Sequence, residues 1–254
     1  AGTGKSYILN KLKLDLPDMA ITASTGASAV NVGGITIHSF AGLGIGDKSA
    51  STLVYRMHPE TIERIRSVRI LAIDEISMLD AKMFDLLNEV LQLVRGSADP
   101  FGGIQLILFG DFLQLPPVDR DKKARFAFES ESWQEANFVN VLLTKVYRQS
   151  DELLLEILGR IRFGRTEQDD HKHLTNNTTT DQNMIHLFAM NAPADSFNLS
   201  RLREVPGRSF FYPGEDWGDQ RGMDLLTKHC LVPKDLFLKV GARVMLLINL
   251  DQEN

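Results

Sequence analysis

The chain opens on Ala1-Gly2-Thr3-Gly4-Lys5-Ser6, and this half of a phosphate-binding loop constrains what can follow it. The complete pattern is G-x-x-x-x-G-K-[ST], so its first glycine would fall two positions before Ala1, and the chain is expected to be a piece cut inside the motif. Gly2 and Gly4, on either side of Thr3, let the backbone curl so that successive N–H groups converge on an anion. Lys5 is placed to reach the β- and γ-phosphates of a nucleotide, and the Ser6 hydroxyl suits Mg²⁺. A helix expected over Tyr7 to Leu14 adds its positive N-terminal end to the same site. Taken alone, the hexapeptide fits a plain turn before a helix equally well.

The second half of the site lies downstream. Ser67 to Glu75 has an apolar run of strand length that ends in Asp74-Glu75, as when a buried parallel strand delivers acids to the carboxyl edge of a sheet. Asp74 can hold Mg²⁺ through its water shell, and Glu75 can orient and deprotonate an attacking water. An ordinary strand capped by solvated acids is the plainer reading. Gly4-Lys5-Ser6 lies far enough upstream to leave room for an intervening strand, and this favours the paired one. After a strand expected over Ile104 to Phe109 comes Gly110-Asp111-Phe112-Leu113-Gln114-Leu115-Pro116-Pro117. Gln114 can hydrogen-bond a γ-phosphate or its water without adding charge, although the segment by itself reads as a Pro-rich turn. Arg148, just past an expected strand over Phe138 to Leu143, could reach a leaving phosphate or be an ordinary surface arginine.

Strands and helices alternate through the first two thirds of the chain, which implies an α/β fold with a parallel sheet between helices. Helices are expected near Ser28 and over Pro59 to Arg66, Met83 to Arg95 and Leu153 to Ile161. Gly164 to Asn183 carries almost no apolar residues and reads as a surface connection; His171 and His173 within it lack partners for a metal site. A second sheet is expected from Met184 to Ala189, with a helix over Asp195 to Arg203 and two strands around a turn in Leu238 to Ile248. At 254 residues, 43% apolar and 24% charged, the composition is that of a globular protein, with no stretch long and apolar enough to cross a bilayer. The net charge of −5 argues against a uniformly basic surface but leaves a local groove open. A single cysteine, Cys230, rules out an internal disulfide and fits a reducing compartment.

The series of segments resembles one family. Ala1 to Ser6, Ala23-Ser24-Thr25-Gly26-Ala27, Ile37-His38-Ser39-Phe40-Ala41-Gly42, Ile73 to Met78, Phe101 to Leu106, Gly110 to Pro117 and Leu143 to Gln149 are similar to the PIF (petite integration frequency) family of superfamily-one DNA helicases. The resemblance is dense to Phe163 and returns at Asn191, Asp195, Asn198 and Leu238 to Asp251. It implies a P-loop NTPase with a RecA-like parallel sheet over residues 1–163, a polar linker over 164–183 and an incomplete second RecA-like domain over 184–254. It implies ATP-driven 5′-to-3′ movement on single-stranded DNA and unwinding of duplex or G-rich structures in repair, recombination and telomere upkeep. An intracellular location, nuclear or mitochondrial, follows from that work.

Carried over by motif, Gly2, Thr3, Gly4, Lys5 and Ser6 would bind ATP, Ser6 and Asp74 the Mg²⁺, Glu75 the water, Gln114 the γ-phosphate and Arg148 the transition state. Thr25, His38 and Phe40 fall in segments that lie along the DNA strand in this family, where ring stacking on a base is worth roughly 1–3 kcal/mol. Taken alone, Phe40 fits core packing equally well. The family's base-binding contact precedes the phosphate loop and its second arginine follows the point where this chain ends, so the fragment is expected to hydrolyse ATP poorly. A ring-forming protein remodeller and a degenerate DNA-binding copy are the competing readings. The joint presence of Lys5, Glu75, Gln114 and Arg148 argues against decay.

Overall fold

A strand buried on both faces must also bond along both edges, because no water reaches its amides. Ile70–Asp74 meets both demands, and the rest of its half of the molecule is arranged around it. The computed structural model describes residues 2–117, 125–176, 184–215, 217–218, 223 and 233–245, which fall into two compact units, Ala1–Asn176 and Asn177–Asn254. The first unit runs α1 (Lys5–Asp15), β1 (Met19–Ala23), α2 (Gly26–Asn31), β2 (Ile35–Thr36), α3 (Ile37–Ala41), α4 (Ala50–Tyr55), α5 (Pro59–Ser67), β3 (Ile70–Asp74), α6 (Ala81–Arg95), β4 (Gln105–Leu108), α7 (Glu131–Ala136), α8 (Glu152–Arg162) and α9 (Gln168–Asn176).

The sheet is four-stranded, ordered β2-β1-β3-β4 and parallel throughout. β3 pairs with β1 from Met19↔Ile70 to Ala23↔Asp74, and with β4 from Ile70↔Gln105 to Ile73↔Leu108. Side chains alternate along it: Leu71 and Ile73 enter the larger core with α5 and α6, while Ala72 enters a smaller one with Leu9 of α1 and Val32. All three residues are 0% exposed, which is why the run reads as continuously apolar.

The longest helix of this unit is specified locally at both ends. The Asp80 side chain accepts from the Met83 N–H at 2.7 Å, and Gly96 closes α6 in the left-handed conformation at φ 63°. Phe84, Leu87, Val90, Leu91 and Val94 recur at helical spacing and are all buried. Phe84 is the hub of an aromatic group, 5.0 Å from Phe101 and 5.6 Å from Trp133 between ring centres. The chain folds back beneath it because the Asn88 side chain accepts from the Phe101 N–H at 2.6 Å in the buried interior.

Two expectations for this unit change. Phe138 to Leu143 forms no strand: the Phe138 ring packs on Trp133 at 4.7 Å, while Val139, Val141 and Leu142 are exposed. No strand among the described residues pairs beyond β4, so the segment has no ladder to join. The polar stretch after Gly164 is not a loop throughout, since α9 occupies Gln168–Asn176. Its anchor is Asp170, whose side chain is 3% exposed, takes a forked contact from Arg160 and caps the turn through the Glu167 N–H at 2.9 Å. His171 and His173 lie on this helix, and the described residues contain no cluster of three metal-ligating side chains.

The second unit holds α10 (Asn191–Glu204) and an antiparallel pair, β5 (Ser209–Pro213) with β6 (Asp235–Lys239). Lys239 donates to the Arg203 and Val205 carbonyls at 3.2 and 2.7 Å, covering the C-terminal end of α10 with a cation. Met184 to Ala189 forms no strand, and the turn after β6 at Val240-Gly241 leads into residues 242–245, also without one. The rest of the Leu238 to Ile248 expectation lies outside the described residues. Among the described residues no helix is long and apolar enough to cross a membrane.

The aromatic hub is the point of greatest sensitivity. Phe84→Ala is expected to lower the free energy of unfolding by about 3–5 kcal/mol, whereas Leu93→Ala on the exposed side of the same helix changes it by less than about 0.5 kcal/mol, both read from urea denaturation curves.

Candidate functional site

The carboxyl ends of the central strands are tied into one edge by hydrogen bonds. Ser24, just past β1, donates its N–H to the Asp74 carbonyl at 3.1 Å and its hydroxyl to the Glu75 carbonyl at 2.7 Å. On the other side the Ile76 N–H donates to the Phe109 carbonyl at 2.9 Å. Gly110 then passes so close that a Cβ there would stand 2.6 Å from the Ile76 side chain. Between these exits Asp74 is buried, one carboxylate oxygen accepting from the Glu75 N–H at 3.0 Å. Glu75 itself takes the left-handed conformation, φ 52° and ψ 45°, which a residue with a Cβ seldom adopts.

The half-loop meets this edge from α1. Gly2 and Gly4 have φ of 75° and 93°, and Gly4 leads into the helix with no side chain capping its first turn and no acid within it. Leu9, one turn beyond Lys5, lies in one apolar cluster with Ala72 of β3 and Phe109, so the N-terminus of α1 faces the carboxyl edge. The Gly2 carbonyl accepts from the Tyr147 N–H at 2.8 Å, and a Cβ on Gly2 would stand 2.8 Å from the Arg148 Cβ. Arg148 therefore stands against the loop, and Gly2 is the residue that permits its approach. Among the described residues, neither the Lys5 ammonium nor the Glu75 carboxylate has a hydrogen-bonding or ionic partner.

Gln114 is oriented by Asp111. Its Nε2 donates to Asp111 Oδ2 at 2.9 Å, and its own N–H donates to the Asp111 carbonyl at 2.9 Å. Arg162 of α8 grips the same carboxylate with both terminal nitrogens, at 2.5 and 2.8 Å, and the Leu113 N–H adds a bond at 3.2 Å. Burial pushes the Asp111 carboxyl up, but the Gln114 and Arg162 bonds outweigh it and hold the group at about 2, below its ordinary 3.8.

The three residues expected along a DNA strand separate. Thr25 and His38 follow the carboxyl ends of β1 and β2, the same edge as Glu75. Thr25 caps α2, accepting from the Ser28 N–H at 3.2 Å and donating to the Ser28 hydroxyl at 2.8 Å. His38 is held below its ordinary pKa by burial, the Asp80 charge pulling the other way. Phe40 is corrected: at 1% exposure its ring belongs to the core and offers no face to a base. Arg64 lies 5.5 Å above that ring and donates to the Phe40 carbonyl at 2.8 Å and the Ser39 carbonyl at 3.0 Å, fixing α3 from behind. Arg64 and Arg162 carried no signal beyond charge within their segments, because each acts on a residue distant in sequence, and Asp111, inside the Gly110 to Pro117 segment, had no role assigned.

A glycine loop opening the first helix of a parallel sheet, with paired acids where the central strand ends, defines the P-loop class of α/β folds. Residues 1–160 match the PIF1-like helicase family, and the chain belongs to that family. Residues 223–254 match the 2B domain of DNA helicase Pif1, inside the stretch expected to form an incomplete second RecA-like domain. The chain is 39% identical to the ATP-dependent DNA helicase PIF1 of Saccharomyces cerevisiae (strain YJM789), over 99% of this chain and 31% of that protein. It is also 39% identical to the Homo sapiens protein of the same name, over 98% of this chain and 40% of the other. Among solved structures it resembles the Pif1 helicase of Candida albicans, with a TM-score of 0.82 at 35% identity over 94% of this chain and 58% of that one. It also resembles Bacteroides Pif1 bound to ssDNA, with a TM-score of 0.78 at 27% identity over 98% and 60%. The chain thus spans 31% and 40% of the two named helicases, and 58% and 60% of the two solved chains.

The Asp111 arrangement has a pH signature. A carboxyl depressed in the folded state contributes stability above its unfolded pKa, and that contribution is lost as pH falls through the folded value. In acid titrations of the thermal midpoint, part of the loss between 3.8 and about 2 is expected to be absent from Asp111→Asn.

Proposed function

We propose that the full-length protein carrying this chain is an ATP-dependent DNA helicase that moves 5′-to-3′ on single-stranded DNA and opens duplex or G-rich structures. Repair, recombination and telomere maintenance inside the cell are the processes such a motor serves. The names of the relatives support this reading, as do Pif1 structures described as bound to ssDNA, as in complex with ADP-AlF3 and ssDNA, and as the basis for DNA unwinding at forked dsDNA.

The observation that carries it is the conformation of Glu75. A left-handed glutamate costs of order 1–3 kcal/mol and persists only where its surroundings impose it. Here the Ser24 bond, the Ile76 bond and the close pass of Gly110 hold it at the sheet edge, with its carboxylate unpartnered among the described residues. Such a carboxylate suits a general base for water. The other groups follow from their places: the uncapped first turn of α1, with Lys5, receives the triphosphate, and Arg148 beside Gly2 is in reach of the same anion. Gln114 offers an amide to the γ-phosphate or its water.

Mg²⁺ fits the donors present, because the exposed Ser6 hydroxyl and the buried Asp74 carboxylate, with one oxygen unbonded among the described residues, are hard oxygen ligands. When bound, it would supply charge neutralisation of the phosphates. Asp74 and Ser6 would hold it, and Thr25 and His38 would line the DNA path.

A DNA-stimulated ATPase assay on the full-length protein tests the reading. Lys5→Ala is expected to abolish nucleotide binding or turnover, while Glu75→Gln keeps nucleotide affinity within about twofold and loses about 10²–10⁴-fold in stimulated hydrolysis. Turnover that ignores DNA would point instead to a protein remodeller, and equal loss of affinity in both variants would overturn the division of roles.

A further inference from the structure

A glutamine that senses phosphate must present a chosen end of its amide, yet its oxygen and nitrogen are nearly the same size, so shape alone does not choose. In this structure charge chooses. Asp111, its side chain 6% exposed, can only accept, and it takes an N–H of Gln114 at 2.9 Å. That bond turns Nε2 toward the protein and leaves Oε1 with the second N–H for what lies outside. A flipped amide would set two acceptors against each other.

The arrangement has an electrostatic cost that a second residue removes. An anionic carboxylate beside a triphosphate site would repel the ligand and, being buried, would tend to take up a proton. A protonated Asp111 could donate and would no longer enforce the orientation. Arg162 answers both problems with a bidentate grip, the planar pairing in which guanidinium and carboxylate match donor for acceptor. Lysine has no such fork. Arg162 reaches across from α8.

We propose that Asp111 and Arg162 are positioning residues for nucleotide hydrolysis, Arg162 holding Asp111 ionised and fixed, and Asp111 setting the Gln114 amide with Nε2 inward and Oε1 toward the nucleotide. The role rests on the motor reading above, since it has meaning only if Gln114 faces a γ-phosphate or its water. It is a role in turnover rather than in nucleotide affinity, because the first turn of α1 and Lys5 bind the phosphates whichever way the amide points.

A double-mutant cycle on the full-length protein, with ATP and a single-stranded oligonucleotide, separates this role from a structural one. Arg162→Ala is expected to lower kcat by about tenfold with KM for ATP within about twofold of wild type. Arg162→Lys, which keeps the charge and loses the fork, should fall between them. Arg162→Ala combined with Gln114→Ala should be no slower than Gln114→Ala alone, because an amide that is absent cannot be misoriented. Losses that multiply in the double variant, or a rise in KM with unchanged kcat, would overturn the role. If Arg162→Ala fails to unfold cooperatively, the same cycle is read with Arg162→Lys. A wild-type protein without DNA-stimulated turnover would overturn the motor reading and this role with it; an active wild type with multiplying losses would overturn this role alone.

Discussion

Burial of β3 is the constraint from which the site follows. Leu71, Ala72 and Ile73 have no exposure, so each of their amides must be paired, and the parallel ladders to β1 and β4 do this on both sides. Full burial of a leucine or isoleucine side chain is worth about 1.5–3 kcal/mol, so Leu71 and Ile73 together outweigh the 1–3 kcal/mol of a strained residue next to them. A strand held this firmly can end abruptly. Its carboxyl end can force Glu75 into a left-handed turn between Ser24 and Gly110, and the acid is then aimed by the core rather than by bonds of its own.

The charged groups sort into those the protein has consumed and those it has not. Asp111 and Arg162 neutralise each other, Asp170 and Arg160 do the same, and Arg64 gives its donors to the Ser39 and Phe40 carbonyls. These charges are satisfied within the protein, and removing one partner would leave the other stranded in a poorly solvated place. Lys5 and Glu75 have no such partner among the described residues. A side chain with an open hydrogen-bonding shell can change partners during a reaction, which a clamped one cannot do without breaking the fold locally.

What the sequence reveals is what depends on near neighbours. The apolar run of β3, the stripe of α6 and the glycines of the half-loop are local statements, and the structure bears them out. Phe138 to Leu143 has the residues of a strand, but a strand exists only beside another, and no such neighbour is present among the described residues. The stretch holding α9 looks like a loop because its helix is stabilised by one ion pair to α8 rather than by an apolar face. Phe40 could not be told from a stacking aromatic, since burial is a property of the assembled core. Arg162 was invisible for the same reason: its partner lies 51 residues earlier, and in sequence it is only the basic end of an amphipathic helix.

In the proposed motor, a nucleic acid strand bound along this edge would have to overcome the overall charge. At −5 the chain as a whole repels phosphates, so attraction has to come from a few groups within about a Debye length of the strand. His38 contributes little positive charge near neutral pH because burial lowers its pKa, which makes its imidazole a hydrogen-bonding group rather than a cation. Thr25 donates its hydroxyl to Ser28, so it can meet a phosphate only by exchanging one hydrogen bond for another, a trade with little net gain. On the proposed reading both positions would therefore set distance and register along a backbone more than supply affinity, which suits a motor that must release each phosphate in order to move. With Phe40 in the core, the proposed DNA path would need another ring for base stacking on this half of the molecule, and its grip would be directed correspondingly at the backbone.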